Sequence, residues 1–329
     1  MKDNFPNLLD PVTRIPLEKI TVSGEDVLIG KMGTKFKIIE GIPRILPESG
    51  NYADAFGQQW LKWRQTQLDS HTGTTISASR LNRCIGTEII KLFSGQLPMQ
   101  VLEVGCGAGR FTEILLKYPA VNLTSTDLSA AVEANQMNFP QDNRHRIVQS
   151  DIMESPFEVN SFDVVICIGV IQHTPSPEKT IRKLLELVKP GGYLVIDHYT
   201  PEIKRLTKVT ALMLRPIIKR LSAGNRMRAC QYLVSIFFPL HKIVQHIPGG
   251  QALFSRISPI NTYFHVYPQI GDKLQKEWAL LDAHDGLTDW YKHLRTPVQI
   301  KSILESLNAS CIEVFLGGNG VEARCRKLE

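Results

Sequence analysis

The stretch Val101-Leu-Glu-Val-Gly-Cys-Gly-Ala-Gly-Arg-Phe-Thr112 constrains this chain of 329 residues more than any other. Its apolar start breaks into glycines at 105, 107 and 109 and then resumes with helical spacing, which reads as strand, tight turn and helix. Glycine takes positive φ freely and carries no Cβ, so a ligand can approach such a turn closely. The helix, predicted from Gly109 to Lys117, starts with unpaired N–H groups and the positive end of its dipole facing the turn, a setting for a carboxylate or another anion. Glu103 is an acid at the end of an otherwise apolar strand, where it can hold an amine.

The spacing G-x-G-x-G, followed by Arg110 and Phe111, departs from the G-x-G-x-x-G fingerprint of dinucleotide binding. Glu103-x-Gly105-x-Gly107-x-Gly109 instead resembles the first motif of the class I S-adenosylmethionine-dependent methyltransferases. The resemblance implies that this turn, Cys106 included, holds the methionine part of S-adenosylmethionine. Val121–Asp127 reads as a second strand, β-branched and ending in an acid. A carboxylate at that strand tip is placed to grip a ribose through its two hydroxyls, with Leu128 beside it. His145–Ile152 reads as the third strand, and the resemblance puts Asp151 on the adenine amino group and Ile152 against the ring.

Phe162–Gly169 is apolar but for Asp163 near its start, as a central parallel strand buried on both faces should be. Ligands of open α/β sheets sit beyond the carboxyl ends of the strands, so Ile168 and Gly169 face the same crevice as Gly105 and Asp127. His173 follows on that tip, and with an ordinary pKa near 6.5 it is a candidate base for a hydroxyl or amine. In similar quinone-biosynthesis O-methyltransferases an acid accompanies this histidine and a metal is implicated. Gln172 stands there here, and no metal is expected. The tip carries neither an N-P-P-Y-like motif nor a Pro-Cys nucleophile, which disfavours methylation of nucleic-acid bases. A helix from Pro177 to Val188, the turn Lys189-Pro-Gly-Gly192 and a fifth strand, Tyr193–Tyr199, continue the resemblance. The fold expected is a Rossmann-like, doubly wound α/β sheet of seven strands with a small N-terminal β module and a basic helical insert.

Residues 1–48 read as that β module, with strands at Asp26–Ile29 and Thr34–Ile39. Glu40–Leu46 resembles the tail of zinc-ribbon-derived modules without their cysteines, so it is expected to fold without metal. Residues 49–98 read as a helical lid, with aromatic residues at 52, 56, 60 and 63 on one helix face. Trp60, Arg64 and Gln67, with Gln59 and Asp69, make it a candidate cover for cofactor and substrate.

After the core at 99–200, composition changes abruptly. Between Pro201 and Ile260 there are ten Lys and Arg against the single acid Glu202, whereas the whole chain carries only +6. With its apolar residues at helical spacing, the insert is expected to cap an acceptor cleft, spanning 201–295. Its charge also suits an anionic membrane face or RNA. Asp282, Asp285, Tyr291 and His293 fit a D-x-x-D-x-L-x-x-x-Y-x-H pattern that resembles the acceptor side of bacterial methyltransferases. Asp285 or His293 is then an alternative base, and Tyr291 a substrate contact. Residues 296–329 give a capped helix from Thr296-Pro-Val-Gln299 and an antiparallel hairpin turning at Gly317-Gly-Asn-Gly320.

Six scattered cysteines form no C-x-x-C pair, and the start of the chain has no signal-peptide core. A cytoplasmic protein, possible peripheral membrane contact aside, is the expectation. The function expected is methyl transfer from S-adenosylmethionine to a hydroxyl or amine of a small-molecule, sugar or lipid-linked acceptor. RNA methylation and non-catalytic cofactor binding are the alternatives; calorimetry followed by turnover on an acceptor panel separates the latter.

Overall fold

The computed structural model describes residues 5–46, 53–201 and 208–328. Tyr52 of the aromatic stripe and Glu202, Lys204 and Arg205 of the insert lie outside them. The first four strands, β1 (Glu18–Val22), β2 (Glu25–Ile29), β3 (Lys35–Ile39) and β4 (Ile42–Ile45), form an antiparallel meander. Its two-residue turns, Ser23–Gly24 and Glu40–Gly41, have positive φ at both positions, as the tight turns that match strand twist require. Charged side chains line β1–β3 and blunt the open edge.

The central strands are β5 (Met99–Val104), β6 (Val121–Asp127), β7 (His145–Ser150), β8 (Phe162–Cys167) and β9 (Val188–His198), all parallel. β10 (Ala309–Gly317) and β11 (Gly320–Lys327) close the sheet as an antiparallel hairpin, β11 pairing with β9. The order is β1-β2-β3-β4-β7-β6-β5-β8-β9-β11-β10. The expected seven strands are therefore the inner part of an eleven-stranded sheet. The N-terminal segment does not stand apart, because β4 pairs in parallel with β7 and carries the meander onto the sheet edge.

Alternate residues of each central strand enter different cores. Leu102, Val165 and Leu194 face a layer containing α6 (Pro177–Leu187) and the last helix, at Pro297–Ser306. Val101, Val164 and Val195 face the long helix at Ile76–Phe93. Both faces being covered is why β8, past Asp163, reads as an unbroken apolar run. The remaining helices in chain order are α1 (Asp54–Lys62), α2 (Asp69–Thr72), α3 (the Ile76–Phe93 helix), α4 (Thr112–Leu115) and α5 (Ala131–Asn138) ahead of α6. Beyond it come α7 (Val209–Ile218), α8 (Ala223–Val244), α9 (Gly250–Ile257), α10 (Asp272–Thr288) and α11 (Pro297–Ser306).

Two local expectations are corrected, and one helix carries a break. The helix after the glycines begins only at Thr112, because Gly109 at φ 94° cannot belong to it, and Pro119 limits it on the far side. Lys189–Gly192 lies within β9 as an irregularity, the register jumping from Phe162↔Val188 to Val164↔Tyr193. α3 is broken at Gly86 (φ 75°, ψ 171°), where Arg324 Nη1 donates to the freed carbonyls of Arg83 (3.2 Å) and Cys84 (3.3 Å). That backbone region is essentially reserved for glycine. Gly86→Ala is expected to lower unfolding free energy by about 2 kcal/mol in urea titration; an unchanged midpoint would refute the kink as a fixed feature.

Candidate functional site

The strand tips of β5, β6, β7 and β8 open into one cavity of about 1730 Å³ whose other wall comes from α1 and the insert. On the β5 side, Gly105 (φ 73°) and Gly107 (φ 52°) shape the loop. The N–H groups of Gly105 and Cys106 both donate to Thr126 O, at 2.7 and 3.0 Å, so β6 holds the loop in place. A Cβ at Gly105 would come within 2.1 Å of Val170 Cγ2. Gly109 does not line the cavity; a Cβ there would strike the Phe139 ring, so this glycine serves packing against α5.

Asp127 lines the cavity and is half-buried. Its Oδ2 accepts from Gly107 N at 3.0 Å, and its Oδ1 from Ser129 N (2.8 Å) and Ser129 Oγ (2.7 Å). Burial raises its pKa against these donors. The Leu128, Asp151, Ile152 and Ile168 side chains share the cavity wall with Cys106. Asp151 Oδ1 accepts from Met153 N at 2.8 Å, and burial raises its pKa as well. Gly169 (φ 83°) also lines the cavity, and a Cβ there would meet nothing within 4 Å, so only glycine leaves that space open for a ligand. Its N–H donates to Asp197 Oδ1 at 2.6 Å, and Asp197 Oδ2 is paired with Arg80.

Glu103 is placed differently from its expectation. It is 3% exposed, does not line the cavity, and turns under α4. Its Oε2 accepts from Thr112 Oγ1 (2.5 Å) and Ser125 Oγ (3.0 Å), while Oε1 is buried without a partner. Burial, only partly offset by those hydroxyls, pushes its pKa up to about 7.

The lid helix does cover the glycine loop. Trp60 lines the cavity above Gly107, Trp63 packs with Met227 and Leu281, and Gly57 lets α1 press onto the backbone of Ala130. Much of its polar equipment is anchorage. Arg64, outside the cavity, is bonded to Asn138; Gln59 Oε1 accepts from His284 Nδ1 at 2.7 Å; Asp69 accepts from Ser77 N and Ala78 N at the start of α3. Gln67 does reach the cavity, where its Oε1 accepts from Arg110 Nη1 at 3.0 Å. Arg110, which sequence reading passed over, lines the same end; burial, with Arg80 close by, pulls its pKa down to about 10.

At the opposite end stands His173, 8% exposed, between the rings of Phe56 and Tyr199, each 5.4 Å away edge-on. Its Nδ1 lies 3.0 Å from Asp289 Oδ2, and Nε2 lies 3.7 Å from Asp285 Oδ1. Arg215 Nε donates to Asp289 Oδ1 at 2.9 Å and Nη2 to Asp289 O at 3.0 Å. Burial opposes the imidazolium, but Asp285 and Asp289 outweigh it and raise the pKa of His173. Burial likewise disfavours the Asp289 carboxylate, but His173, Lys292 and Arg215 overcome it and hold it low. An ionised Asp289 only accepts, so the Nδ1 proton points at it and Nε2 is left as the basic atom of the neutral ring.

Gln172 beside His173 lacks an acid's charge, yet the fold supplies two acids from α10 and its end. His173, Asp285 and Asp289 offer one ligand atom each within 4.8 Å of one another, near enough for a cation. The Arg215 guanidinium already provides positive charge at Asp289. Asp285 and Asp282 line the cavity; burial pushes the Asp282 pKa up to about 6 although Tyr263 donates to it. Tyr291 and His293 do not line it: their rings stack on each other at 6.1 Å, and the His293 N–H donates to Gln172 O. Asp289 and Arg215 were missed by sequence reading. The four-residue spacing from Asp285 was a signal for Asp289, whereas nothing set Arg215 apart from its basic neighbours.

A methyltransferase-domain family profile matches residues 102–196. The malonyl-[acyl-carrier protein] O-methyltransferase of Paenibacillus sp. (strain JDR-2) is 34% identical over 110 residues, covering 31% of this chain and 39% of that protein. The ubiquinone biosynthesis O-methyltransferase of Colwellia psychrerythraea is 31% identical over 117 residues, covering 34% of this chain and 46% of that protein. The chain thus spans less than half the length of these relatives. Among solved structures, the CurJ carbon methyltransferase superposes with a TM-score of 0.48 at 16% identity, over 83% of this chain and 59% of that one.

The placement of Glu103 has a consequence for stability. Its folded pKa is raised from the carboxyl value of 4.5 to about 7, so stability falls as pH rises through that window, by about 3 kcal/mol in all. Glu103→Gln is expected to flatten this slope in urea titrations between pH 4.5 and pH 8. An unchanged slope would show that the carboxyl is not the buried, poorly satisfied group described.

Proposed function

We propose, on the premise that residues 102–196 are a class I S-adenosylmethionine-dependent methyltransferase domain, that the chain transfers a methyl group to a hydroxyl of a small or lipid-linked acceptor. The observation that carries this reading is His173. It lines the same cavity as Asp127, with Nδ1 tied to Asp289 and Nε2, 3.7 Å from Asp285 Oδ1, left as the atom to take an acceptor's proton. S-adenosylmethionine, when bound, supplies an electrophilic methyl on a sulfonium, so the protein has only to align a nucleophile, exclude water and take a proton.

The residues divide accordingly. Asp127, with three donors already on its carboxylate, has one lone-pair site left, on Oδ2, to accept a ribose hydroxyl, and Asp151 with Ile152 takes the adenine. The glycine backbone from Gly105 to Gly107 admits the methionine part, and Arg110 offers its carboxylate a cation. Trp60 and Phe56 on α1 keep water out. His173 accepts the acceptor's proton at Nε2; Asp289, held by Arg215, positions the ring and stabilises the imidazolium. Glu103 supports the loop from behind rather than touching the cofactor. RNA is a poorer acceptor for this site, because the outer face of the basic insert is studded with exposed apolar side chains.

Calorimetry should show Asp127→Ala weakening S-adenosylmethionine binding by about 10- to 100-fold, with Glu103→Gln within about threefold of the parent. The reverse ranking would overturn the assignment. His173→Gln should lower kcat by about 10²- to 10⁴-fold with cofactor affinity retained. Since the neutral ring is the base, activity should rise with pH through a value above 6.5. Asp289→Asn removes a carboxylate that favours the imidazolium, so this limb should move to lower pH. Activity should survive EDTA, because Arg215 serves Asp289 where a metal would; loss restored by a divalent cation would count against that role.

A further inference from the structure

Three helices of the insert turn apolar stripes away from the body of the protein. α8 packs Val234 and Phe238 against Ala279 and Ala283 of α10, while Ile218 of α7 and Cys230 of α8 pack with Leu287. The opposite sides of the helices therefore face outward. Met213 and Ile217 on α7, Ile243 on α8, and Leu253 and Ile257 on α9 are each more than half exposed. Apolar surface of this extent on neighbouring helices marks an interaction face.

Its charge says what it meets. From Lys208 to Asn261 the chain carries eight Lys and Arg and no Asp or Glu; Arg215 pairs inward with Asp289 and Lys242 with Asp272, while Lys219, Arg220, Arg226, Arg228 and Arg256 lie outside those two ion pairs. A second copy of this chain packed through the same face would oppose like charges, whereas an anionic lipid surface satisfies cations and apolar stripes together. Among the described residues no helix is long and apolar enough to cross a membrane, so the contact is peripheral. The face is also continuous with the site. Leu212 (56% exposed), Ile247 (54%) and Val266 (61%) belong to the exposed apolar surface and line the cavity that contains His173.

We infer that the outer face of α7–α9 docks on an anionic bilayer, and that the cavity takes an amphiphilic acceptor from it, head group toward His173 and hydrocarbon tail along Leu212 and Ile247. The docking stands on the surface alone; the acceptor class rests on the methyl-transfer reading. Membrane partitioning gains about fivefold for each cation near the surface, so binding should be strong at low salt and weak at high salt.

The test is flotation of the full chain with vesicles of phosphatidylcholine alone and with about one third phosphatidylglycerol. Binding to the anionic vesicles only, reversed by 0.5 M salt and cut at least tenfold in Met213→Ser/Ile217→Ser/Ile243→Ser, is the result expected. None of these three residues lines the cavity, so S-adenosylmethionine calorimetry on the same variant should match the parent and shows that the fold is intact. Failure of the parent to float, or equal flotation of the triple variant, overturns the docking. So does sedimentation that finds a dimer in the parent and a monomer in the variant, since a second copy then covers the face. If the chain floats but binds no S-adenosylmethionine, the docking holds and the methyl-transfer reading fails.

Discussion

The site depends on how β5 ends. Gly105 takes a positive φ against Val170, and the first two loop N–H groups are spent on Thr126 O rather than on a ligand. Gly107 then donates to Asp127, so the acid at the tip of β6 is fixed by the loop that it helps to hold. Loop and carboxylate are one object, and each loses its geometry without the other. Glu103, Thr112 and Ser125 form a second, hidden tier beneath it, where a carboxyl poised near neutrality joins β5, β6 and α4.

Everything around this object brings distant parts of the chain to it. α1 lays Trp60 over the loop and Phe56 against His173, and is clamped by Gly57 against α5 and by Arg64 at Asn138. The insert contributes Arg215, Asp285 and Asp289 at the other end, so the histidine at the tip of β8 gains its acids only when the cap is in place. The surface that supplies this acidic pair on its inner side is basic and apolar on its outer side. One helical layer thus completes the His173 cluster on one side and exposes apolar side chains on the other.

Much of this was legible in the residues, for reasons that can be named. Asp127, Asp151 and Gly169 mark where successive parallel strands stop, so their convergence on one crevice follows from parallel topology. Glu103 was read as a ligand, whereas it lies outside the cavity lining, where period-two alternation puts it on the side of Val101 beneath α4. The lid's aromatic spacing was readable, but its polar residues could not be divided into ligands and anchors, because Gln59 finds His284 across more than two hundred residues. The pairing of His173 with Asp289 spans a similar gap in kind and depends on the insert's packing. Of the four N-terminal strands β2 and β3 were visible, whereas β1 and β4 were not, and the union with the sheet rests on the short contact of β4 with β7.

On the methyl-transfer reading, the β5 loop and the Asp127 carboxylate together hold S-adenosylmethionine. A crystal structure of the chain soaked with S-adenosylhomocysteine tests it most directly. Density is predicted to run from Gly105–Gly107 to Asp151, with a ribose hydroxyl on Asp127 Oδ2. An empty crevice at millimolar ligand, or density lodged elsewhere with Asp127 turned away, would contradict it.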